Sequence, residues 1–336
     1  MNYLVLKQRI YLVISALTLI VLGSGYGSCT KFSDRLSDSA MVALDSFHHC
    51  QYMARSRGIG AAGRRSEQLD YADLLSRHTT AEQLVEIANT DTSRITRLWA
   101  YRILLRKADN QVIDVLKQAL KDTTYVEMMS GCSEFEEPYN RAAISIYRYD
   151  SYELKLPNQL CFSLDSLVFF DYMKPCGFER GLLMDFKPHK IYYATVIEEA
   201  DKGNDAILPL LAQYKNPNDR QRINKLLKLN LKKAGVCSHE ACEAISNWND
   251  PAFEWYAKAA CQATIKQEYY YAWDILHLLC AYPAPWSYQI LKELLTQKGD
   301  YSNSDTAKDY LTELYKTRPV PPIFKPLYDR YVARKK

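Results

Sequence analysis

The sequence is poor in glycine, with 12 glycines among 336 residues, and only six of them follow Arg64. All-β sandwiches and doubly wound α/β enzymes place glycine at many tight turns and phosphate-binding loops. The shortage therefore argues against both classes. The overall composition, with 48% hydrophobic and 24% charged residues, is that of an ordinary globular protein and excludes disordered and fibrous chains.

The sequence also lacks a complete catalytic motif. No P-loop or EF-hand occurs, and no G-x-S-x-G follows residue 28. Gly58-Ile-Gly60-Ala-Ala-Gly63 matches the dinucleotide fingerprint, but the residues before it have a helical pattern and no βαβ unit is predicted around it. We therefore expect a loop there. His239-Glu240-Ala-Cys242-Glu243 begins like the zinc-peptidase motif but has no second histidine. Neither an enzyme, a metal site nor a bound cofactor is expected.

The longest apolar run near the N-terminus, Ile10 to Leu22, is shorter than the about 20 residues that a membrane-spanning helix needs. Lys7 and Arg9 precede it, and small residues lead to Cys29, which is the order of an export signal. Tyr26-Gly-Ser-Cys29 resembles a bacterial lipoprotein signal, although such signals normally carry an aliphatic residue where Tyr26 stands. A plain cleaved signal peptide and an uncleaved anchor are the alternatives.

The lipoprotein resemblance implies that residues 1–28 are removed and that Cys29 carries a lipid. The protein would then be anchored in a bacterial cell envelope, facing the periplasm or the cell surface. Loss of Lys7 and Arg9 would lower the net charge from +4 to +2, so nothing indicates binding to nucleic acid. The chain also has no N-glycosylation sequon, which favours a bacterial exported protein.

After Ser33 the pattern is one amphipathic helix after another. Apolar residues recur at helical spacing over residues 112–120, 207–214 and 307–315. The helix-start signals agree. They include a capping box at Thr80–Gln83 and an N-cap followed by proline at Asp250-Pro251.

Several turns combine Asp, Asn or Glu with Pro, Arg and Ala, as in Glu137-Pro-Tyr-Asn-Arg141-Ala-Ala. This signature resembles that of HEAT repeats, and the spacing from Arg97 to Arg141 fits their period of about 40–47 residues. The resemblance implies an all-α fold, namely a right-handed α-solenoid of antiparallel helical hairpins, over residues 66–336. Residues 29–65 are interpreted as an N-terminal helix and a Gly/Arg-rich loop. Residues 150–186 break the rhythm and predict an irregular insertion, in which a short β-hairpin is one alternative.

The cysteines divide by context. Cys237 and Cys242 lie five residues apart at a helix start, where they form either a disulfide or two unpaired thiols. Cys261 and Cys280 fall on apolar helical faces and are expected in the core. Cys132 and Cys176 lie in loop-like stretches, where pairing is more plausible.

Aromatic residues concentrate towards the C-terminus, where Trp248, Trp255, Trp273 and Trp286 occur within 39 residues. Amphipathic aromatics are favoured at protein interfaces, and they also stack on sugars. The candidate binding residues are Trp248, Trp255, Trp286, Tyr256 and Tyr288. Core packing is the alternative, and Trp273 and Tyr256 lie on apolar stripes that predict burial.

Together these patterns predict an envelope lipoprotein with a helical-repeat scaffold that binds another protein. The alternative is a glycan-binding protein or a helical-toroid carbohydrate-active enzyme that uses the same aromatic residues.

Overall fold

The computed structural model describes residues 35–60, 63–234, 238–266, 272–297 and 303–333. This part of the chain is mostly helical, as predicted, and it contains one small sheet. Two compact units divide between Val168 and Phe169. None of the described helices has the length and apolar character needed to cross a membrane. The predicted signal, residues 1–28, and Cys29 lie outside the described residues.

The first unit contains seven α-helices and four strands among the described residues. The helices are α1 Asp38–His48, α2 Gln68–His78, α3 Ala81–Thr90, α4 Arg94–Arg106, α5 Val112–Ala119, α6 Tyr139–Leu154 and α7 Asn158–Leu167. The strands are β1 Met53–Ile59, β2 Arg64–Arg65, β3 Tyr125–Gly131 and β4 Ser133–Pro138. The capping box at Thr80 and the helix over residues 112–119 are confirmed.

The sheet has the order β2-β1-β3-β4, with β1 parallel to β3 and the other pairs antiparallel. This small sheet is an addition to the mostly helical fold, and residues 53–59, which we expected partly in a loop, form a strand. β3 and β4 form a tight hairpin in which Ser130 faces Ser133. Gly131 in the turn has φ +58, a conformation that glycine adopts at little cost.

The irregular region has no hairpin. Tyr152 and Leu154 end α6, and Lys155 follows with φ +51. Beyond α7 come a π-helix, Val168–Met173, and two short helices, α8 Lys174–Cys176 and α9 Arg180–Met184. The alternation of apolar residues over 152–156 therefore belongs to the end of a helix and the start of the segment after it, and the β3–β4 hairpin lies earlier, at residues 125–138.

Helix α4 is the centre of the first unit. Every side chain from Leu98 to Leu105 is buried, and α4 packs against α1, α2, α3, α5, α6 and β1. A helix that is buried on all sides is a core element. Trp99 lies at its middle, stacked on Phe47 of α1 with 5.6 Å between ring centroids.

A buried ion pair joins α4 to two other elements. The Arg102 guanidinium donates to both Asp150 oxygens on α6, at 2.8 and 2.7 Å, and to the Ala54 carbonyl on β1, at 2.9 Å. Both side chains are almost completely buried, at 1% and 3% exposure. A buried charge is tolerated only when it is paired and hydrogen-bonded. α4, α6 and β1 are therefore held in one arrangement.

The second unit consists of helices alone within the described residues. After α9 the longer helices are α10 Lys190–Asp201, α11 Leu208–Gln213, α12 Arg220–Ala234, α13 His239–Trp248, α14 Glu254–Thr264, α15 Ala272–Ala281, α16 Pro285–Thr296, α17 Asn303–Leu314 and α18 Lys325–Tyr331. Short 3₁₀ turns, Asp205–Ile207, Pro217–Asp219 and Pro251–Phe253, lead into α11, α12 and α14.

Alternate helices of this unit pack on one another. α9, α11, α13, α15 and α17 form a first row, and α10, α12, α14 and α16 form a second row. Each helix thus contacts the helix two places along the chain, and most also contact their sequence neighbours.

The Arg102–Asp150 pair gives the first prediction. Asp150→Asn leaves a buried guanidinium without its counter-charge and is expected to lower the free energy of unfolding of the first unit by about 3–5 kcal/mol. Hydrogen exchange of the α4 amides measures this loss. The control is Asp329→Asn, which removes an exposed pair with Lys325 and should cost less than about 1 kcal/mol. If the α4 amides were equally protected from hydrogen exchange in both variants, the Arg102–Asp150 pair would not stabilise the first unit.

Candidate binding surface

Three of the four helices of the second row, α12, α14 and α16, begin at or just after regularly spaced prolines. Pro217, Pro251 and Pro285 are separated by 34 residues at each step. Each follows a cap residue. Asn216 and Asp250 accept hydrogen bonds from the backbone N–H two residues on, and the Ala284 N–H donates to Ser287 Oγ. Proline fixes the entry to a helix and needs no hydrogen-bond partner there. The second row therefore repeats with a 34-residue step.

A polar contact joins each helix start in this row to the next. Tyr193 on α10 donates to Asp219, at 2.8 Å, and Arg220 on α12 donates to Asp250, also at 2.8 Å. Glu254 on α14 accepts from the indole N–H of Trp286 at 2.8 Å. Arg220 and Glu254 each stand four residues after a cap, so these contacts recur along the row.

Two predicted tryptophans lie on this row and are positioned by it. The Trp255 indole N–H donates to Asn224 Oδ1 of the preceding helix at 2.6 Å, and Trp286 is bonded to Glu254 as described. Trp255 is 37% exposed and Trp286 is half-buried. Because the polar edge of each ring is already bonded within the protein, its solvent-facing part is apolar surface. We call Trp255 and Trp286, with Asn224 and Glu254, the tryptophan surface.

The other predicted binding residues are placed differently. Tyr256 is completely buried and its hydroxyl donates to Asn230 at 3.0 Å, so it packs in the core, as its apolar stripe predicted, and faces no ligand. Trp248 is half-buried with its ring edge-on to Phe253, at 5.1 Å between centroids. Tyr288 is also half-buried.

Trp273 was expected in the core but is 46% exposed. It lies on α15 in the first row, where its ring meets Tyr310 of α17 edge-on at 5.0 Å. His277 completes the group, with its Nδ1 at 3.2 Å from the Tyr310 hydroxyl. Burial raises the pKa of the Tyr310 hydroxyl above its ordinary value. Exposed aromatic side chains therefore occur on both rows.

Two clefts offer little to a small ligand. One in the second unit, of about 430 Å³, is lined by both signs of charge, Lys215 with Glu240 and Glu243. One in the first unit, of about 340 Å³, contains Arg97. That guanidinium is already bonded to Asp122 at 3.1 Å and lies 4.4 Å from the Tyr139 ring centroid. Its charge is balanced within the protein.

The zinc-peptidase-like motif and the cysteines form no metal site within the described residues. His239 and Glu243 form an exposed pair one helical turn apart, with Nε2 and Oε2 separated by 3.7 Å. No group of three metal-ligating side chains occurs within the described residues. Cys242 is disulfide-bonded, but Cys237 lies outside the described residues, so their pairing stays a prediction. Cys132 and Cys176 are unpaired thiols, contrary to expectation.

The glycine motif lies at the turn from β1 to β2, so it follows a strand but does not open a helix. Gly60 and Gly63 have positive φ, and a Cβ on Gly58 would stand 3.0 Å from the Gly63 carbonyl oxygen. These glycines allow β1 and β2 to approach closely, and they do not form a phosphate-binding loop, which would lead directly into a helix.

The neighbouring arginines are largely bonded within the protein. Arg57 pairs with Glu153 at 3.1 Å, and Arg65 pairs with Asp70. Arg55 donates to Ser145 at 2.9 Å. Each of these three arginines therefore has a side-chain partner within the first unit.

Comparisons with protein-family models, curated proteins and solved structures find no match to this chain. The inference of function therefore depends on the surfaces described above.

The recurring contacts of the second row give a second prediction. Asp250 caps a helix start and binds Arg220, and it is only 6% exposed. Asp250→Ala removes both interactions and is expected to destabilise the second unit by about 2 kcal/mol. Asp250→Asn keeps a capping oxygen, like that of Asn216, 34 residues earlier, and should lower the free energy of unfolding clearly less. The two variants are compared by urea unfolding monitored through tryptophan fluorescence, since four of the five tryptophans lie in this unit. Equal losses would show that the cap contributes nothing.

Proposed function

We propose that the protein is a lipid-anchored scaffold of the bacterial cell envelope that binds another protein through the tryptophan surface. The partly exposed indole ring of Trp255, with its N–H already bonded to Asn224, is the observation that carries this proposal. Tryptophan is enriched among the residues that dominate binding energy at protein interfaces. A ring held in place by its own protein also loses little conformational entropy on binding.

We further infer that the second unit is a right-handed α-solenoid. The two rows of alternately packed helices, the 34-residue step and the recurring polar contacts support this architecture. The step is shorter than the about 40–47 residues of HEAT repeats, so the resemblance to that family stays a prediction. Solenoids bind partners along extended surfaces made of equivalent positions on successive repeats.

A glycan-binding function is the second candidate, because the same indole ring could stack on a sugar ring. A helical-toroid carbohydrate-active enzyme would be its catalytic form. Both would use Trp255 directly, so one variant tests protein and glycan binding together.

The third prediction concerns this surface. Immobilised full-length protein in detergent is expected to capture a defined partner from solubilised envelopes. Trp255→Ala should weaken that capture by roughly 30-fold, the equivalent of about 2 kcal/mol for a central interface tryptophan. The matched control is Trp273→Ala, which removes a somewhat more exposed tryptophan from the other row and should retain the partner. Circular dichroism checks that both variants are folded.

Repeated failure to capture a partner, or identical capture by Trp255→Ala, would refute protein binding at this surface. A glycan array that binds the wild type but not Trp255→Ala would favour the glycan alternative instead.

The fourth prediction concerns anchoring through Cys29. Cells that express the wild type should incorporate labelled palmitate into the protein, because the proposed lipid is attached to that thiol. Cys29→Ser should abolish the label and move the protein towards the soluble fraction. Cys132→Ser, which removes an exposed thiol elsewhere, should keep both the label and the membrane association. A label that persists in Cys29→Ser would rule out Cys29 as the attachment point.

A further inference from the structure

On one side of the sheet in the first unit, side chains occupy the backbone hydrogen-bonding groups at the start of β1. On the edge of β1 that faces away from β3, Gln68 accepts from the Ala54 N–H at 3.0 Å and donates to the Tyr52 carbonyl at 2.7 Å. Arg102 donates to the Ala54 carbonyl. No further strand can therefore pair at this part of β1.

The opposite edge, that of β4, is open. In a hairpin with a two-residue turn the residues that flank the turn, here Ser130 and Ser133, form a hydrogen-bonded pair, and such pairs alternate along the ladder. Phe135 therefore bonds towards β3, whereas Glu134 and Glu136 direct their N–H and C=O groups outward. Within the described residues no backbone group pairs with these outward groups.

The side chains beside this edge are acidic. Glu134 and Glu136 of β4 are exposed on the same face as Glu127 of β3, and Glu136 lies directly opposite Glu127. Like charges in such a cross-strand pair are destabilising. A hydrogen bond between the Glu127 and Glu136 carboxyl groups, together with the negative charges of Glu136 and Glu134, raises the pKa of Glu127 above its ordinary value. A cation placed against this pair would relieve the repulsion. Tyr125, on the same face and 61% exposed, adds apolar surface.

We propose that the open edge of β4 binds an extended basic segment of a partner protein, which adds a strand beside Glu134–Glu136. The backbone of that segment would bond to the outward N–H and C=O groups. Its alternate Lys or Arg side chains would lie on the face that carries Glu127, Glu134 and Glu136. The same carboxylates oppose pairing between two copies of this edge, because they would bring glutamates against glutamates.

This inference goes beyond the proposed function, because it involves the other unit and different residues. Loss of binding at the tryptophan surface would leave it untouched, and the reverse also holds.

The fifth prediction uses a fluorescein-labelled peptide of alternating lysine and valine, titrated with the full-length protein and followed by fluorescence anisotropy. Binding is expected, and it should weaken with added salt because the charges are exposed. A peptide of alternating glutamate and valine should not bind. Glu134→Lys combined with Glu136→Lys should weaken binding at least about tenfold, since it replaces attraction with repulsion. Glu240→Lys combined with Glu243→Lys makes the same change of net charge in the second unit and should leave the affinity unchanged.

Backbone pairing is tested with the protein unaltered. The lysine–valine peptide is N-methylated at every second residue, in each of the two possible registers. One register removes the N–H groups that face β4 and should weaken binding at least about tenfold, because it removes every hydrogen bond that the peptide backbone would donate to β4. The other register should bind as the unmodified peptide does. Absence of binding, equal affinities of the two registers, or an unchanged affinity of the double-lysine variant would overturn the proposal.

Discussion

The buried pairing of Arg102 with Asp150 is the constraint on which the first unit depends. Neither charge can be left in the interior alone, so α4, α6 and β1 have to come together in the same arrangement. One arm of the guanidinium satisfies the Ala54 carbonyl, and Gln68 satisfies the Ala54 N–H while also accepting from the Trp99 indole. The core of the unit and the closed edge of its sheet are thus made by the same few side chains. On the other side of the sheet, the outward backbone groups of Glu134 and Glu136 have no such partners among the described residues.

Helices were predictable from this sequence because their signals are local. The period of apolar residues over 112–119 and the capping box at Thr80 need no knowledge of the rest of the chain. The strand β1 gives no such signal. Met53 and Ala54 are adjacent and both buried, since α4 and its Arg102 cover the strand where an alternating pattern would expose one of them. β3 does alternate, with Tyr125 and Glu127 exposed and Val126 and Met128 buried, so a stricter search for period-two patterns would have found it.

The sequence predicted which segment of the chain contains the candidate site, but not which of its aromatic side chains are exposed. Composition located the aromatic-rich segment, yet Trp255 is exposed and its neighbour Tyr256 is completely buried. Adjacent residues of a helix point about 100° apart, and which direction faces the core depends on the helices packed against it. The opposite error occurs at Trp273, which lies on an apolar stripe that predicts burial and is nevertheless exposed. The 34-residue step of the prolines, by contrast, is present in the sequence and marks the equivalent positions of the second row.

Binding at the proposed tryptophan surface would be physically coupled to the packing of the helices in the second row. The orientation of Trp255 depends on Asn224 of the helix before it, and that of Trp286 depends on Glu254. A local opening between two successive helices of the row would release an indole from its partner and disorder the binding surface. A ligand that requires both rings in place therefore binds only the packed row, and by mass action it stabilises the contacts between neighbouring helices. The stability of the second row and the affinity for such a partner would in this way be two measures of the same set of contacts.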